Sequence, residues 1–85
     1  NNSTQITLYY TNWCGYSKQF LPIWNKLKTD IKNVDFIEID CEIDTEKCNN
    51  ANIEGFPTIM ILKNNVEQQY AGDRTYESLY NILTN

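Results

Sequence analysis

The amino-acid sequence predicts an α/β fold with the element order β-α-β-α-β-β-α. Two stretches with the composition of strands, 5–10 and 34–40, flank a long amphipathic helical pattern, which is the arrangement of a parallel strand–helix–strand unit. Residues 58–62 form a continuous apolar run, which is typical of a buried strand. The pair Asn64-Asn65 then indicates a turn before a further strand.

The first helix is predicted over residues 16–31. Large apolar side chains recur there at intervals of three and four residues and define one face that would pack on the sheet. These side chains are Phe20, Ile23, Trp24, Leu27 and Ile31. Pro22 lies inside the pattern and should kink the helix, because proline lacks the N–H and clashes with the preceding turn. The second strand would run parallel to the first through a right-handed crossover.

Shorter elements are predicted in the second half of the chain. Residues 43–52 are polar and indicate a short helix or an irregular turn, whereas 66–70 would form an antiparallel edge strand. Thr75 suits the N-cap of a final helix over 76–83. Three residues of that helix would face inward: Leu79, Ile82 and Leu83. Residues 1–4 are expected to fray, and their two N-glycosylation triplets carry little weight in an Asn-rich chain.

Composition and charge exclude several classes of protein. Seven basic against eleven acidic residues do not provide the basic face that nucleic acid requires. The chain has no histidine, and its three cysteines cannot complete a tetrahedral zinc site by themselves, so no metal and no other cofactor is predicted. No apolar run approaches the ~20 residues that span a bilayer. The 85 residues predict one small domain, 1–85, either a monomer or part of a longer chain.

Cys14 is the candidate nucleophile. It lies between the first strand and the first turn of the helix, where free N–H groups and the helix dipole stabilise a thiolate. Such a position can lower a cysteine pKa from ~8.5 to about 3.5–7.5. A lone cysteine is more often a small buried apolar residue. The neighbours favour reactivity, because Gly15 admits a partner's backbone and Trp13 and Tyr16 offer flat surfaces to a peptide.

Two segments carry a family resemblance. Y-Y-T-N-W-C-G-Y-S-K resembles the active-site segment of thioredoxin-fold oxidoreductases, and G-F-P-T resembles their cis-proline loop. The catalytic domains of the protein disulfide isomerase branch are similar over nearly the whole chain, including 39–48, 55–64 and 70–75. The resemblance implies a thioredoxin-like fold with a four-stranded mixed sheet and helices on both faces. We expect the core of that fold without the additional N-terminal strand and helix of longer members.

The resemblance also implies roles in binding and in tuning the thiol. Phe56-Pro57 would be cis and face Cys14, with the Phe56 backbone pairing with a bound peptide. Spacing alone would favour a trans bond, since only ~5–6% of X-Pro bonds are cis. Arg74 matches an arginine that can swing toward the thiol, although Asp73 stands where the branch often has proline. The alternative for Arg74 is a solvated surface charge.

Cys41 and Cys48 match cysteines of the isomerase branch, and the resemblance therefore implies a structural disulfide between them. The residues alone leave two unrelated free thiols as the alternative. A disulfide that closes so short a loop would contribute roughly 2–3 kcal/mol. It would also indicate an oxidising compartment, such as the endoplasmic reticulum lumen or the exterior, with the cytosol as the alternative.

The sequence departs from the family pattern at the site itself. Ser17 replaces the second cysteine of Cys-x-x-Cys, and Leu8 replaces the buried acid that accepts the proton of that cysteine. Ser17 is either natural or a substitution made to trap mixed disulfides, and the simultaneous loss of the acid favours a natural origin. Glu38 stands where the family has the lysine partner of the acid. It either faces solvent or supplies a carboxylate to the site and tunes the thiol.

The sequence therefore predicts a monothiol thiol–disulfide oxidoreductase similar to disulfide isomerases. Cys14, assisted by Ser17, would form a mixed disulfide with a protein or peptide substrate or with glutathione, and a second thiol would resolve it. Three alternatives stay open. The protein is a client-binding module without turnover, a trapping form of a dithiol enzyme, or a structural domain with an unreactive Cys14.

Overall fold

The computed structural model describes residues 4–85, and the predicted element order is confirmed there. The asparagines of the two glycosylation triplets and most of the segment expected to fray lie outside the described residues. The elements are β1 Thr4–Tyr10, α1 Gly15–Asp30, β2 Val34–Asp40, α2 Thr45–Asn50, β3 Thr58–Lys63, β4 Val66–Gln69 and α3 Tyr76–Thr84. Each boundary lies within a few residues of the prediction, as expected for helix and strand ends.

The four strands form one mixed sheet in the order β2-β1-β3-β4. β1 pairs with β2 in parallel and with β3 antiparallel, and β3 pairs antiparallel with β4. β1 therefore lies in the interior of the sheet, and its carboxyl end leads directly to the start of α1. That edge of the sheet is where Cys14 lies.

The β3–β4 hairpin turns at Asn64 and Asn65, as predicted. Both residues have positive φ, 54° and 64°. Lys63 and Val66 pair across this two-residue loop. Two consecutive positive φ angles define a type I′ turn, whose twist matches that of the strands and which asparagine tolerates better than most residues.

The hydrophobic core lies between the sheet and the helices α1 and α3. Alternate residues of β1 point into it, as the period of a strand requires. Its fully buried side chains include Ile6, Leu8, Trp24, Leu27 and Leu79. Burying a large apolar side chain contributes on the order of 1.5–3 kcal/mol. This cluster therefore fixes α1 on the sheet and so fixes the position of its first turn.

Two details of the helices bear on the predictions. α1 runs without interruption through Pro22, whose missing N–H leaves the Lys18 carbonyl without its usual helical donor. The Thr75 hydroxyl accepts a hydrogen bond from the Ser78 N–H at 3.2 Å, so the predicted N-cap of α3 is confirmed.

The prediction that Ile82 faces inward is wrong. Its side chain is 42% exposed, whereas Leu79 and Leu83 are buried. At 3.6 residues per turn, residue 82 lies about 100° around the helix from residue 83, so the face that buries Leu79 and Leu83 leaves Ile82 at its exposed edge. Beside it, Lys63 Nζ donates to the Ile82 carbonyl at 3.3 Å and to the Asn85 carbonyl at 2.6 Å. A cation placed there stabilises the carboxyl end of α3.

Candidate active site

Cys14 is the N-cap residue of α1, with extended backbone angles of φ −80° and ψ 125°. No side chain caps this helix end by a hydrogen bond. The free N–H groups of the first turn are therefore available to the sulfur. The N–H of Ser17 is the largest cause that lowers the pKa of the Cys14 thiol, and the N–H of Tyr16 adds to it. Loss of solvent around the sulfur acts in the opposite direction but does not prevail.

The cis-proline loop faces the thiol. The Phe56–Pro57 peptide bond is cis. The Sγ of Cys14 donates to the Phe56 carbonyl at 3.5 Å, although the two residues lie 42 positions apart in the sequence. The Thr58 hydroxyl donates to the Gly55 carbonyl at 2.7 Å and closes the turn that leads into β3. The fold thus brings together the two segments that carry the family resemblance.

Ser17 lies beneath the surface next to Cys14 and is only 1% exposed. Its hydroxyl lowers the pKa of the Cys14 thiol by hydrogen bonding, in addition to the contribution of its backbone N–H. The Ser17 Oγ also accepts from the Thr11 N–H at 3.5 Å. The Thr11 hydroxyl is buried without a partner in the described part of the chain. Ser17 therefore joins the thiol to the end of β1.

Aromatic rings flank the sulfur. Trp13 and Tyr16 are each 64% exposed, which is unusual for residues of this size. Trp13 makes an edge-to-face contact with Phe56, with ring centroids 6.1 Å apart. Nothing in the protein lies within 4 Å of a Cβ built on Gly15, so the space in front of this residue is open. The predicted peptide-binding residues thus surround an accessible thiol.

Arg74 belongs to the same site. Its guanidinium carbon lies 5.7 Å from the centroid of the Tyr16 ring, within the range of a cation–π contact. Its charge is a further cause that lowers the pKa of the Cys14 thiol. The sequence analysis named both residues but missed their contact, because 58 positions separate them. Together with Phe56 and Pro57 they border a cleft of about 530 Å³.

Glu38 does not take part in the site. Its carboxylate accepts from Trp24 Nε1 at 2.9 Å and from Lys28 Nζ at 2.6 Å. The bond to Lys28 is the largest cause that lowers the pKa of Glu38, and the bond to Trp24 adds to it. Glu38 is not among the groups that shift the pKa of Cys14. Glu38 is exposed, so the expectation that it faces solvent is correct, whereas its carboxylate bonds to α1 and not to the thiol. Its partners lie on α1, which packs over β2 at this position.

The predicted disulfide between Cys41 and Cys48 is confirmed, and Cys14 is the free cysteine. Both bridged residues are buried. Cys41 also donates its N–H to the Tyr10 carbonyl at 2.9 Å, which extends the pairing of β1 with β2 by one residue. The disulfide thus attaches α2 to the end of β2, beside the loop that leads to Cys14.

A larger cavity, of about 830 Å³, lies between β4 and α3. None of the residues predicted for the site line it, and its lining includes no cysteine. The smaller cleft is the better candidate for substrate, because it is lined by Phe56, whose carbonyl lies 3.5 Å from the Cys14 Sγ. Among residues 4–85, no three metal-binding side chains form a cluster. Within the same residues, no helix is both long and apolar enough to cross a membrane.

A cysteine at a helix N-terminus that faces a cis-proline on a β-β hairpin defines the thioredoxin-like class of proteins. The sequence matches the family model described as Thioredoxin over residues 1–85. The chain belongs to the thioredoxin family.

Similar curated proteins include a thioredoxin domain-containing protein of Acanthamoeba polyphaga mimivirus, 31% identical over 92% of this chain. Protein disulfide-isomerase A4 of Bos taurus is 32% identical over 93% of the chain. The chain spans only 25% and 13% of the lengths of these two proteins. The likeness is therefore to one thioredoxin domain of much longer proteins.

Solved structures give the same picture. The J-Trx1 fragment of ERdj5 superposes with a TM-score of 0.87 at 19% identity, covering 95% of this chain and 41% of that one. The first two thioredoxin domains of Naumovozyma dairenensis Eps1p superpose with a TM-score of 0.85 at 25% identity, covering 96% of this chain and 34% of that one. Zinc-bound human ERp44 superposes with a TM-score of 0.83 at 21% identity, covering 95% of this chain and 26% of that one. The thioredoxin-like fold predicted from the sequence is confirmed.

Proposed function

We propose that this protein catalyses thiol–disulfide exchange through a single nucleophile, Cys14. The observation that carries the proposal is the position of its sulfur. It sits at the uncapped N-terminus of α1, with a lowered pKa, 3.5 Å from the Phe56 carbonyl and among exposed aromatic rings. A thiolate that is stabilised and accessible is the species that attacks a disulfide.

The reaction proceeds by two exchanges. The Cys14 thiolate attacks one sulfur of a substrate disulfide RS–SR′, forms the mixed disulfide Cys14–S–SR and releases R′S⁻. A thiolate of the same substrate, or of glutathione, then attacks the substrate sulfur of the mixed disulfide. A disulfide forms between that thiolate and the substrate sulfur, and the Cys14 thiolate leaves. No electrons are gained or lost overall, so the cycle requires no cofactor.

Ser17 makes this a monothiol cycle. A serine cannot attack the mixed disulfide to release the substrate, so the resolving thiol comes from outside the domain. The hydroxyl instead supports the thiolate by a hydrogen bond. Isomerisation of protein disulfides and removal of glutathione from proteins suit such a site, whereas net reduction by a dithiol does not.

The substrates we propose are protein or peptide thiols and disulfides, with glutathione as a small-molecule partner. The exposed rings of Trp13 and Tyr16 and the backbone of Phe56 offer a surface for an extended peptide. We also place the protein in an oxidising compartment such as the endoplasmic reticulum lumen. The buried Cys41–Cys48 disulfide and the likeness to a disulfide isomerase support that placement.

The test is turnover of a peptide that carries a glutathione mixed disulfide, with excess glutathione as the resolving thiol. We expect multiple turnovers per protein molecule and none with Cys14→Ser. Release of one equivalent without further turnover would instead identify a client-binding module. A native protein that reacts no faster than a free thiol of an unfolded peptide would leave only a structural role.

A further inference from the structure

The loop before α3 holds Arg74 in a defined position. The hydroxyl of Tyr70 donates to the Asp73 carbonyl, and its ring lies directly over Gly72. A Cβ on Gly72 would come within 2.7 Å of the Tyr70 hydroxyl oxygen, so a larger residue there would displace the Tyr70 ring. The Tyr16 ring then receives the guanidinium at the far end of the side chain. Arg74 is therefore supported at both ends.

The guanidinium has no carboxylate partner. Within residues 4–85 the ion pairs are Lys26–Asp30 and Lys28–Glu38, and Arg74 belongs to neither. A ring face satisfies the charge only in part and leaves the N–H donors in the plane of the guanidinium free. Arg74 also borders the cleft of about 530 Å³ beside the cis-proline. Its fork of donors suits a carboxylate.

We infer that Arg74, positioned by the Tyr16 ring, binds a carboxylate of the substrate and so makes Cys14 selective for disulfides with an acidic group close to the reacting sulfur. The inference rests on the proposed function and names its substrate class. The carboxylate can belong to an acidic residue of a protein substrate or to glutathione. Both present the same chemistry to the cleft.

Other charges near the cleft set limits on this selectivity. Glu54 also lines the cleft and opposes an anionic substrate. Lys18 follows Cys14 by one helical turn but does not line the cleft. It is also not among the groups that shift the pKa of the Cys14 thiol. Glu54→Gln should therefore increase the preference for anions, whereas Lys18→Gln should change it less than Arg74→Gln does.

The experiment compares the rates at which iodoacetate and iodoacetamide alkylate Cys14. Both reagents react with the thiolate, so the ratio of the two rates does not depend on the thiolate fraction. The ratio reports only how the site treats a carboxylate beside the sulfur. We expect it to fall about threefold to fivefold in Arg74→Gln, as is typical for one exposed ionic contact. High salt should reduce the difference.

The variants of Tyr16 test the positioning role. Tyr16→Leu removes the ring and should lower the ratio nearly as much as Arg74→Gln, whereas Tyr16→Phe keeps a ring and should preserve it. Arg74→Lys keeps the charge without the planar fork and should be intermediate. The matched control is Lys32→Gln. It makes the same change of charge beyond the other end of α1, about 24 Å away along a 16-residue helix.

Disulfide substrates then separate the two sources of the carboxylate. Oxidised glutathione is compared with the neutral hydroxyethyl disulfide, and a peptide disulfide with Glu beside the cysteine is compared with its Gln counterpart. A preference that Arg74→Gln abolishes in either pair supports the inference and identifies its source. An alkylation ratio in Arg74→Gln no lower than in Lys32→Gln overturns it. Slow reaction of Cys14 with iodoacetamide itself would instead count against the proposed function.

Discussion

At the scale of single residues, one backbone group lowers the Cys14 pKa more than any side chain does. The Ser17 N–H is the largest cause of the lowered Cys14 pKa, ahead of the Ser17 hydroxyl and of Arg74. A backbone donor at a helix N-terminus is fixed by the helix itself and costs nothing to orient. Ser17→Ala should therefore weaken the thiolate only partly.

Alkylation of Cys14 by iodoacetamide should show a pH midpoint below the ordinary thiol value of ~8.5. In Ser17→Ala the midpoint should rise but stay below that value, because the N–H of residue 17 persists. A native midpoint at or above ~8.5 would contradict the assignment of Cys14 as a nucleophile.

The same shift links stability to pH. The folded pKa of Cys14 lies below its unfolded value, so ionisation favours the folded state. This contribution is present above ~8.5 and is lost as the pH falls through the folded pKa. The free energy of unfolding of the native protein minus that of Cys14→Ser should therefore increase with pH up to ~8.5. A flat difference in denaturation experiments across this window would show an unperturbed thiol.

Ser17→Cys should create measurable but weak reduction of insulin disulfides. The new thiol would lie one turn from Cys14, so an intramolecular release becomes possible. It would also be buried, as Ser17 is, and the fully buried Leu8 offers no carboxylate to take its proton. Burial keeps a thiol protonated and slows its attack. The control is Cys14→Ser combined with Ser17→Cys. A rate equal to that of an ordinary dithiol isomerase domain would show that no acid is needed.

At the scale of elements, a polar contact between β2 and α1 adds to the apolar core. Glu38 on β2 accepts hydrogen bonds from Trp24 and Lys28, one turn apart on α1. The Trp24 ring also packs edge-to-face on Phe36 of β2, with centroids 5.2 Å apart. These contacts fix the rotation of α1 on the sheet, and that rotation determines where its first turn presents the thiol.

Glu38→Gln should lower the free energy of unfolding near neutral pH by about 1 kcal/mol, allowing for a carboxylate that is about one-third exposed. The folded pKa of Glu38 is lowered, so its contribution is present above the ordinary value of 4.5 and is lost as the pH falls through the folded pKa. Urea denaturation, monitored by tryptophan fluorescence, measures this free energy of unfolding at each pH. Asp35→Gln, an exposed acid on the same strand, serves as the control. A loss that persists unchanged at low pH would point to packing rather than charge.

At the scale of the whole molecule, a domain of this size has a small core and limited stability. The Cys41–Cys48 disulfide joins residues only seven positions apart, yet it attaches the short helix α2 to the sheet. α2 has no side-chain hydrogen bond at its N-cap, so the covalent link replaces a local stabilising contact.

Replacing both Cys41 and Cys48 with alanine should lower the free energy of unfolding by roughly 2–3 kcal/mol, the value expected for so short a loop. Denaturation in a Cys14→Ser background avoids exchange during unfolding. In the double variant that retains Cys14, the pH midpoint of Cys14 alkylation should stay low. The groups that lower the Cys14 pKa lie on α1 and on the loop before α3. A midpoint that rises with the loss of the disulfide would show that α2 also positions the thiol.

The sequence by itself determined the elements and singled out Cys14 as the candidate nucleophile. Periodicity, the asparagine turn and the Thr75 cap are local properties, so they predicted every helix and strand with small errors at the ends. The resemblance added the cis bond at Phe56–Pro57 and the Cys41–Cys48 disulfide, which the residues alone left open.

Only the tertiary structure decided which side chains meet. The contact of Arg74 with Tyr16, the bonds of Glu38 to α1 and the outward rotation of Ile82 join or separate residues according to how packed elements are rotated and placed. A local pattern holds no information on that placement. It follows from how the core side chains of α1, α3 and the sheet fill a common space, which is a property of the whole chain.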